Sequence, residues 1–99
     1  MIQYRAGLRN HPVKWNTLRG YLTLYSSSMD FQTRWGQWHS QINLNIDFQN
    51  VIEVSRCSYL LIFPAFEVHI RDGNIYKFVC PESDQIVNTI NRYLSENLV

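Results

Sequence analysis

The stretch Phe66-Glu67-Val68-His69-Ile70-Arg71-Asp72-Gly73-Asn74-Ile75-Tyr76-Lys77-Phe78-Val79-Cys80 decides the fold. Phe66, Val68 and Ile70 alternate with Glu67 and His69, the period of a half-buried strand. Asp72-Gly73 follows, and glycine readily supplies the positive φ that a tight hairpin turn requires. Asn74 to Cys80 then reads as a returning strand. At Pro81 the period changes. Ile86, Val87, Ile90, Tyr93 and Leu94 recur at helical spacing and form one apolar stripe, predicting an amphipathic helix near Glu82–Asn97. Pro81 suits its start, and Glu82 and Asp84 complement the positive end of its dipole. Ser83 is the expected capping side chain. A strand hairpin running into one terminal helix points to an antiparallel sheet covered by a single helix.

Upstream, the strand signals are frequent. In Ile2 to Arg9 the apolar residues fall at even positions, which puts Arg5 and Arg9 together on the opposite, wet face. Asn10-His11-Pro12 breaks that run. Leu18 to Tyr25 follows, with Leu18, Leu22 and Leu24 expected inward and Arg19, Tyr21 and Thr23 outward. Ser26-Ser27-Ser28 reads as a turn. Met29 to Thr33, Ile42 to Asp47 and Val51 to Arg56 supply three more strands, and Phe66–Ile70 and Asn74–Cys80 complete seven. The expected class is mainly β with one helix (α+β): seven antiparallel strands in two near-orthogonal sheets, a barrel capped by the C-terminal α-helix. Residues 1–99 are read as a single domain.

Composition narrows the function. The chain is 45% hydrophobic, 17% charged and 14% aromatic, which excludes disorder. Its formal net charge of +1 argues against a nucleic-acid binder. The charge is uneven, however. Residues 1–29 carry Arg5, Arg9, Lys14 and Arg19 with no carboxylate, and the remainder carries five basic and eight acidic residues. Such a basic front is either a docking surface for an anionic partner or ordinary charge on the surface of strands. The longest apolar run, Tyr59 to Phe66, is broken by Pro64 and is far short of the roughly 20 residues a membrane-spanning helix needs. The N-terminal Met-Ile-Gln-Tyr-Arg has no signal-peptide core, so the expected location is cytoplasmic, with peripheral attachment at the inner membrane face.

No catalytic set emerges. His11, His39 and His69 are far apart, and no His or Cys pair has metal-ligand spacing, so neither a metal nor a cofactor is expected. Cys57 and Cys80 read as two buried thiols, with a disulfide as the alternative. There is no glycine-rich phosphate loop. Glu82 and Asp84 belong to a helix start. The chain is not expected to be an enzyme.

The order and spacing of several segments carry a resemblance. They are Ala6 with Asn10-His11, Gly20-Tyr21-Leu22-Thr23-Leu24, Met29-Asp30-Phe31, Trp38-His39-Ser40-Gln41, Ile42 to Val54, Ile62-Phe63-Pro64, Asp72 to Val79, and the closing helix. Across nearly the whole chain this pattern resembles the GRAM-like branch of the pleckstrin-homology (PH) superfold, in its small bacterial form. Tyr25 and Pro12 depart from it, standing where the family usually has threonine and an aromatic residue. The resemblance implies a non-catalytic module that binds lipid headgroups, membranes or proteins. In phosphoinositide-binding members the first hairpin supplies basic residues. Lys14 and Arg19 resemble that placement, although the full basic motif is absent.

All three tryptophans fall in two connections. Trp15 lies between the first two strands with His11 and Lys14, and Trp35 and Trp38 lie between the third and fourth with Arg34 and His39. In a meander both connections emerge at one end of the sheet, and neither carries a carboxylate. Indoles favour boundaries between apolar and wet surroundings, and neighbouring cations attract phosphate. The candidate ligand-binding set is therefore Lys14, Trp15, Arg19, Arg34, Trp35, Trp38 and His39. The competing readings are indoles packed over the barrel mouth and indoles in a self-association contact. The run Tyr59 to Phe66 is read as a covered sixth strand with the loop leading into it, or else as an oligomer seam or a shallow membrane contact. The expected function is docking to anionic lipid headgroups or a membrane surface. The alternative is a protein-interaction or self-assembly module, and a homo-oligomer is expected.

Overall fold

The computed structural model describes residues 2–9, 18–33 and 43–96. Within them the chain forms β1 (Ile2–Leu8), β2 (Leu18–Leu24), β3 (Ser28–Thr33), β4 (Asn43–Asp47), a 3-10 turn (Phe48–Asn50), β5 (Val51–Tyr59), β6 (Phe63–Ile70), β7 (Ile75–Val79) and α1 (Ser83–Glu96). All the pairings are antiparallel, and the strand order is β4-β3-β2-β1-β7-β6-β5.

The hydrogen bonding differs from the two sheets expected. It joins the seven strands into one sheet that does not close, with β4 and β5 at its edges. β1 is the joint. One of its edges pairs with β2 along its whole length, from Ile2↔Leu24 to Leu8↔Leu18. Its other edge pairs with β7 only at Gly7↔Val79 and Leu8↔Phe78. Alternation in a sequence records which face a residue takes, not which strand lies beside it, so this short ladder was not legible.

The inward residues are those the alternation assigns. Ala6, Leu8, Leu22, Leu24, Met29, Phe31, Ile46, Val54, Phe66, Val68 and Phe78 are buried in one core. Phe78 is at its centre, with its ring 5.5 Å from Phe31 and 5.3 Å from Phe66. Gly20 lets β2 and β3 approach closely. A Cβ built there would lie 2.1 Å from the carbonyl oxygen of Gln32 and 2.9 Å from the Phe31 ring.

The Asp72-Gly73 turn forms as expected. Gly73 has φ +97°, and its N–H donates to the Ile70 carbonyl at 3.0 Å. The Asp72 carboxylate accepts from the Asn74 backbone N–H at 2.8 Å. Arg71 ties this hairpin to the 3-10 turn, donating from Nε to Gln49 O at 3.0 Å and from its backbone N–H to Asn50 O at 2.9 Å.

The helix packs across β5, β6 and the 3-10 turn. Ile86 and Ile90 are fully buried and Val87 nearly so. Leu94, expected to be buried with them, is only half-buried, because it lies in the last turn at the margin of the core. Tyr93 meets Phe48 edge-on at 5.1 Å. Ser83 does not cap the helix. Its buried hydroxyl donates to the Cys80 carbonyl at 2.6 Å, fastening the helix start to the end of β7.

Two substitutions test this account. Gly20→Ala forces β3 to shift and should cost about 1–3 kcal/mol, as overpacking does. Ile90→Asp places a carboxylate in the helix–sheet contact and should cost on the order of 3 kcal/mol. Urea denaturation measures both, and an Ile90→Asp protein that melts like the parent would mean the helix does not anchor the sheet.

Candidate docking surface

The outer face of the sheet carries the cations. Arg5 stands opposite Tyr21, and Arg19 stands opposite Gly7, which also faces Val79. Directly opposed residues share a face and alternate residues return to it. Arg5, Arg19 and Lys77 therefore lie on one side of β1, β2 and β7. Arg9 continues β1, its backbone N–H donating to Lys77 O at 2.8 Å. Arg5 and Arg19 are exposed, and Arg9 is half-buried. Gly7, at the centre of this group, is itself buried. Glu67 is the carboxylate opposite Lys77, and it lies 3.4 Å from His69 Nε2.

Beside this face is a feature that the strand pattern did not anticipate. β5 runs to Tyr59 instead of Arg56, and β6 starts at Phe63 instead of Phe66, so the apolar run is a hairpin tip and not a covered strand. Tyr59 pairs with Phe63, and the Ile62 N–H donates to Tyr59 O at 3.3 Å. Leu60 and Leu61 hold φ of 54° and 67°. Two consecutive positive φ values are the mark of a type I′ turn, which ordinarily takes Asn-Gly. Leucine at such a position costs roughly 1–2 kcal/mol. The side chains face water: Leu60 is 66% exposed, Leu61 91%, Ile62 75% and Phe63 46%.

Cations stand behind this tip. The Arg9 guanidinium lies 4.7 Å from the centre of the Tyr59 ring, which itself lies 6.2 Å from Phe63. Lys77 Nζ donates to Ser58 O at 3.2 Å. Residues 54–66 contain Arg56 and no Asp or Glu. Arg56 is bonded to Asp84 at 3.4 Å on the exposed surface. The acid-free run was the signal in the sequence. What concealed the tip was the absence of any Gly, Asn or Asp to mark a turn.

Of the candidate ligand-binding residues, Arg19 is described, and it joins Arg5 on the outer face. Lys14, Trp15, Arg34, Trp35, Trp38 and His39 lie outside the described residues. Cys57 and Cys80 are free thiols, Cys80 buried and Cys57 half-buried. Burial, reinforced by the Glu82 carboxylate that accepts its S–H, pushes the Cys80 thiol up to about 12. Burial also raises Cys57. Both shifts disfavour the thiolate that a nucleophile needs. Among the described residues no three His, Cys, Asp or Glu side chains gather as a metal site would require.

Comparison with known proteins gives the class of fold. The chain is similar to the C-terminal domain of an unknown protein from Leishmania infantum, with a TM-score of 0.75 and 13% identity over 95% of this chain and 83% of that one. It is also similar to the N-terminally truncated linker-DH/PH domains of p115-RhoGEF, with a TM-score of 0.73 and 11% identity. That match covers 100% of this chain and 30% of the other. No known family and no curated protein matches the sequence. At these identities the likeness carries the fold alone, and the fold is PH-like.

The tip yields a prediction of its own. Leu60→Asn with Leu61→Gly supplies the residues this turn geometry favours, so the double variant should be more stable than the parent by about 1–2 kcal/mol. Thermal and urea melts measure the gain.

Proposed function

We propose that the chain is a non-catalytic, GRAM-like module, a single PH-like domain, that docks on anionic lipid headgroups at a membrane surface. The observation that supports this reading is the outer-face group Arg5, Arg9, Arg19 and Lys77. Each such cation is worth on the order of 1 kcal/mol near an anionic leaflet. Attraction by a few of them is weak, additive and sensitive to salt, since exposed charges are screened beyond roughly 8 Å at physiological ionic strength. No step of covalent chemistry is involved, and no cofactor or nucleic acid takes part. The reading places the protein in the cytoplasm, peripheral to the inner face of the membrane.

Lys14, Trp15, Arg34, Trp35, Trp38 and His39 extend the proposed surface. The connections that contain them join strand ends set side by side by the register, Leu8 opposite Leu18, Gly20 opposite Thr33 and Gln32 opposite Asn43. No helix among the described residues is long and apolar enough to cross a membrane.

A second reading, a protein-interaction or self-assembly module, has one observation in its favour. β5 ends the sheet, and a groove of about 470 Å³ runs beside it, lined by Phe48, Val51, Ile52, Arg71, Tyr93 and Leu94. A strand edge that is unpaired among the described residues, beside a groove of mixed polar and apolar lining, can accept an extended segment of another chain or copy.

Co-sedimentation separates the two readings. The protein should pellet with vesicles of phosphatidylcholine and phosphatidylserine, and not with phosphatidylcholine alone, and added salt should release it. Arg5→Glu with Arg19→Glu should abolish pelleting with little change in melting temperature, because both side chains are exposed. A folded protein that ignores anionic vesicles would leave the protein-interaction reading standing.

A further inference from the structure

We infer that the β5–β6 hairpin tip, Leu60-Leu61-Ile62-Phe63, is a wedge that inserts between the lipids of an anionic bilayer. The inference rests on the reading of the outer face as a membrane-docking surface, and adds to it a penetrating element at a separate set of residues.

Three independent features of the tip lead there. The first is exposure. Four consecutive apolar side chains stand in water, Leu61 almost completely. Single exposed leucines are ordinary, but contiguous apolar patches on soluble chains mark contact sites. The second is the backbone. Leu60 and Leu61 occupy left-handed conformations that asparagine or glycine would take without penalty. A turn built from residues that disfavour it is at odds with stability alone, and such departures concentrate where a segment has another task. The third is the layering. From the tip inward come Leu60 to Ile62, then the paired rings of Tyr59 and Phe63, then Arg9 stacked on Tyr59 and Lys77 held at Ser58 O. That is the vertical order of a bilayer surface. Aliphatic groups meet the acyl boundary, aromatic rings sit at headgroup level, and cations stay at the phosphates.

The charge pattern selects the bilayer over a second copy of the chain. Two tips meeting about a two-fold axis would bring the Arg9–Tyr59 stack of each copy toward its equal, whereas Lys77 is answered within its own chain by Glu67, directly opposite it. Four tip side chains also present only a few hundred Å², well below the roughly 800 Å² per partner of a standard interface. A narrow convex turn suits a medium that yields to it.

The test uses Leu60→Asn with Leu61→Gly, which the turn geometry expects to fold at least as well as the parent. Partitioning onto phosphatidylcholine–phosphatidylserine vesicles should fall by about tenfold or more for each leucine lost, while the Arg5, Arg9, Arg19 and Lys77 face is intact. In a Cys57→Ser background, Leu61→Cys carrying a polarity-sensitive fluorophore should shift to the blue on those vesicles. It should also be quenched by lipids bearing a nitroxide just below the headgroup. A tip variant that binds as the parent does, with the probe at position 61 still in water, would overturn insertion and leave surface docking intact. A parent protein that ignores every vesicle, yet loses a light-scattering dimer when the tip is changed, would overturn both in favour of a second copy as the occupant.

Discussion

The seam between β1 and β7 holds the fold together. Two residue pairs, Gly7↔Val79 and Leu8↔Phe78, make the N-terminal four-strand meander continuous with the C-terminal three-strand one. A ladder that short cannot hold two halves in register by hydrogen bonds alone, since each contributes only about 1 kcal/mol net. Phe78 supplies the rest. It lies on the inner face of the seam, fully buried, and packs against Phe31 from one half and Phe66 from the other. Everything else is arranged around that contact. β7 leads through the Ser83–Cys80 bond into the helix, which covers β5, β6 and the 3-10 turn.

The same seam organises the outer surface. Inside, it needs bulk, which Leu8 and Phe78 provide. Outside, Arg5, Arg9, Arg19 and Lys77 stand around the buried Gly7. The cations come from three different segments of the chain and share a face only because β1 has β2 on one edge and β7 on the other. Coulombic attraction to an extended anionic surface, as the proposed docking requires, needs that convergence more than it needs any particular geometry.

The hairpin tip shows a local preference overridden. Tyr59 to Phe66 has the hydrophobicity of a buried strand and no turn residue before Pro64, yet the chain reverses at Leu60–Leu61. The neighbouring register requires it. Val54↔Val68 and Phe66↔Phe78 must both face the core, and with Cys57↔Ala65 between them the only residues left to turn are those at the tip. Tertiary pairing thus sets a conformation that leucine resists, and it leaves the side chains in water.

Much of the fold was legible in the sequence because alternation and helical spacing report directly on burial. Tyr4, Ala6 and Leu8 inward and Arg5 and Arg9 outward, the Gly73 turn, and the helix anchored by Ile86 and Ile90 all follow from where an apolar side chain must go to leave water. Tyr93 and Leu94 show the limit, since a stripe does not say where the core stops. The candidate site was legible only in part. The excess of cations in residues 1–29 and the surplus of apolar residues from Tyr59 to Phe66 are properties of composition, and they pointed to Arg19 and to an unusual apolar run. Tertiary structure alone decided that Lys77 joins Arg5, Arg9 and Arg19, and that the apolar run is a tip and not a strand. The physical reason is that period-2 patterning encodes the face of a strand and is silent about its neighbours. Which strands pair, and therefore which charges converge and which residues must turn, is settled by packing across the whole core.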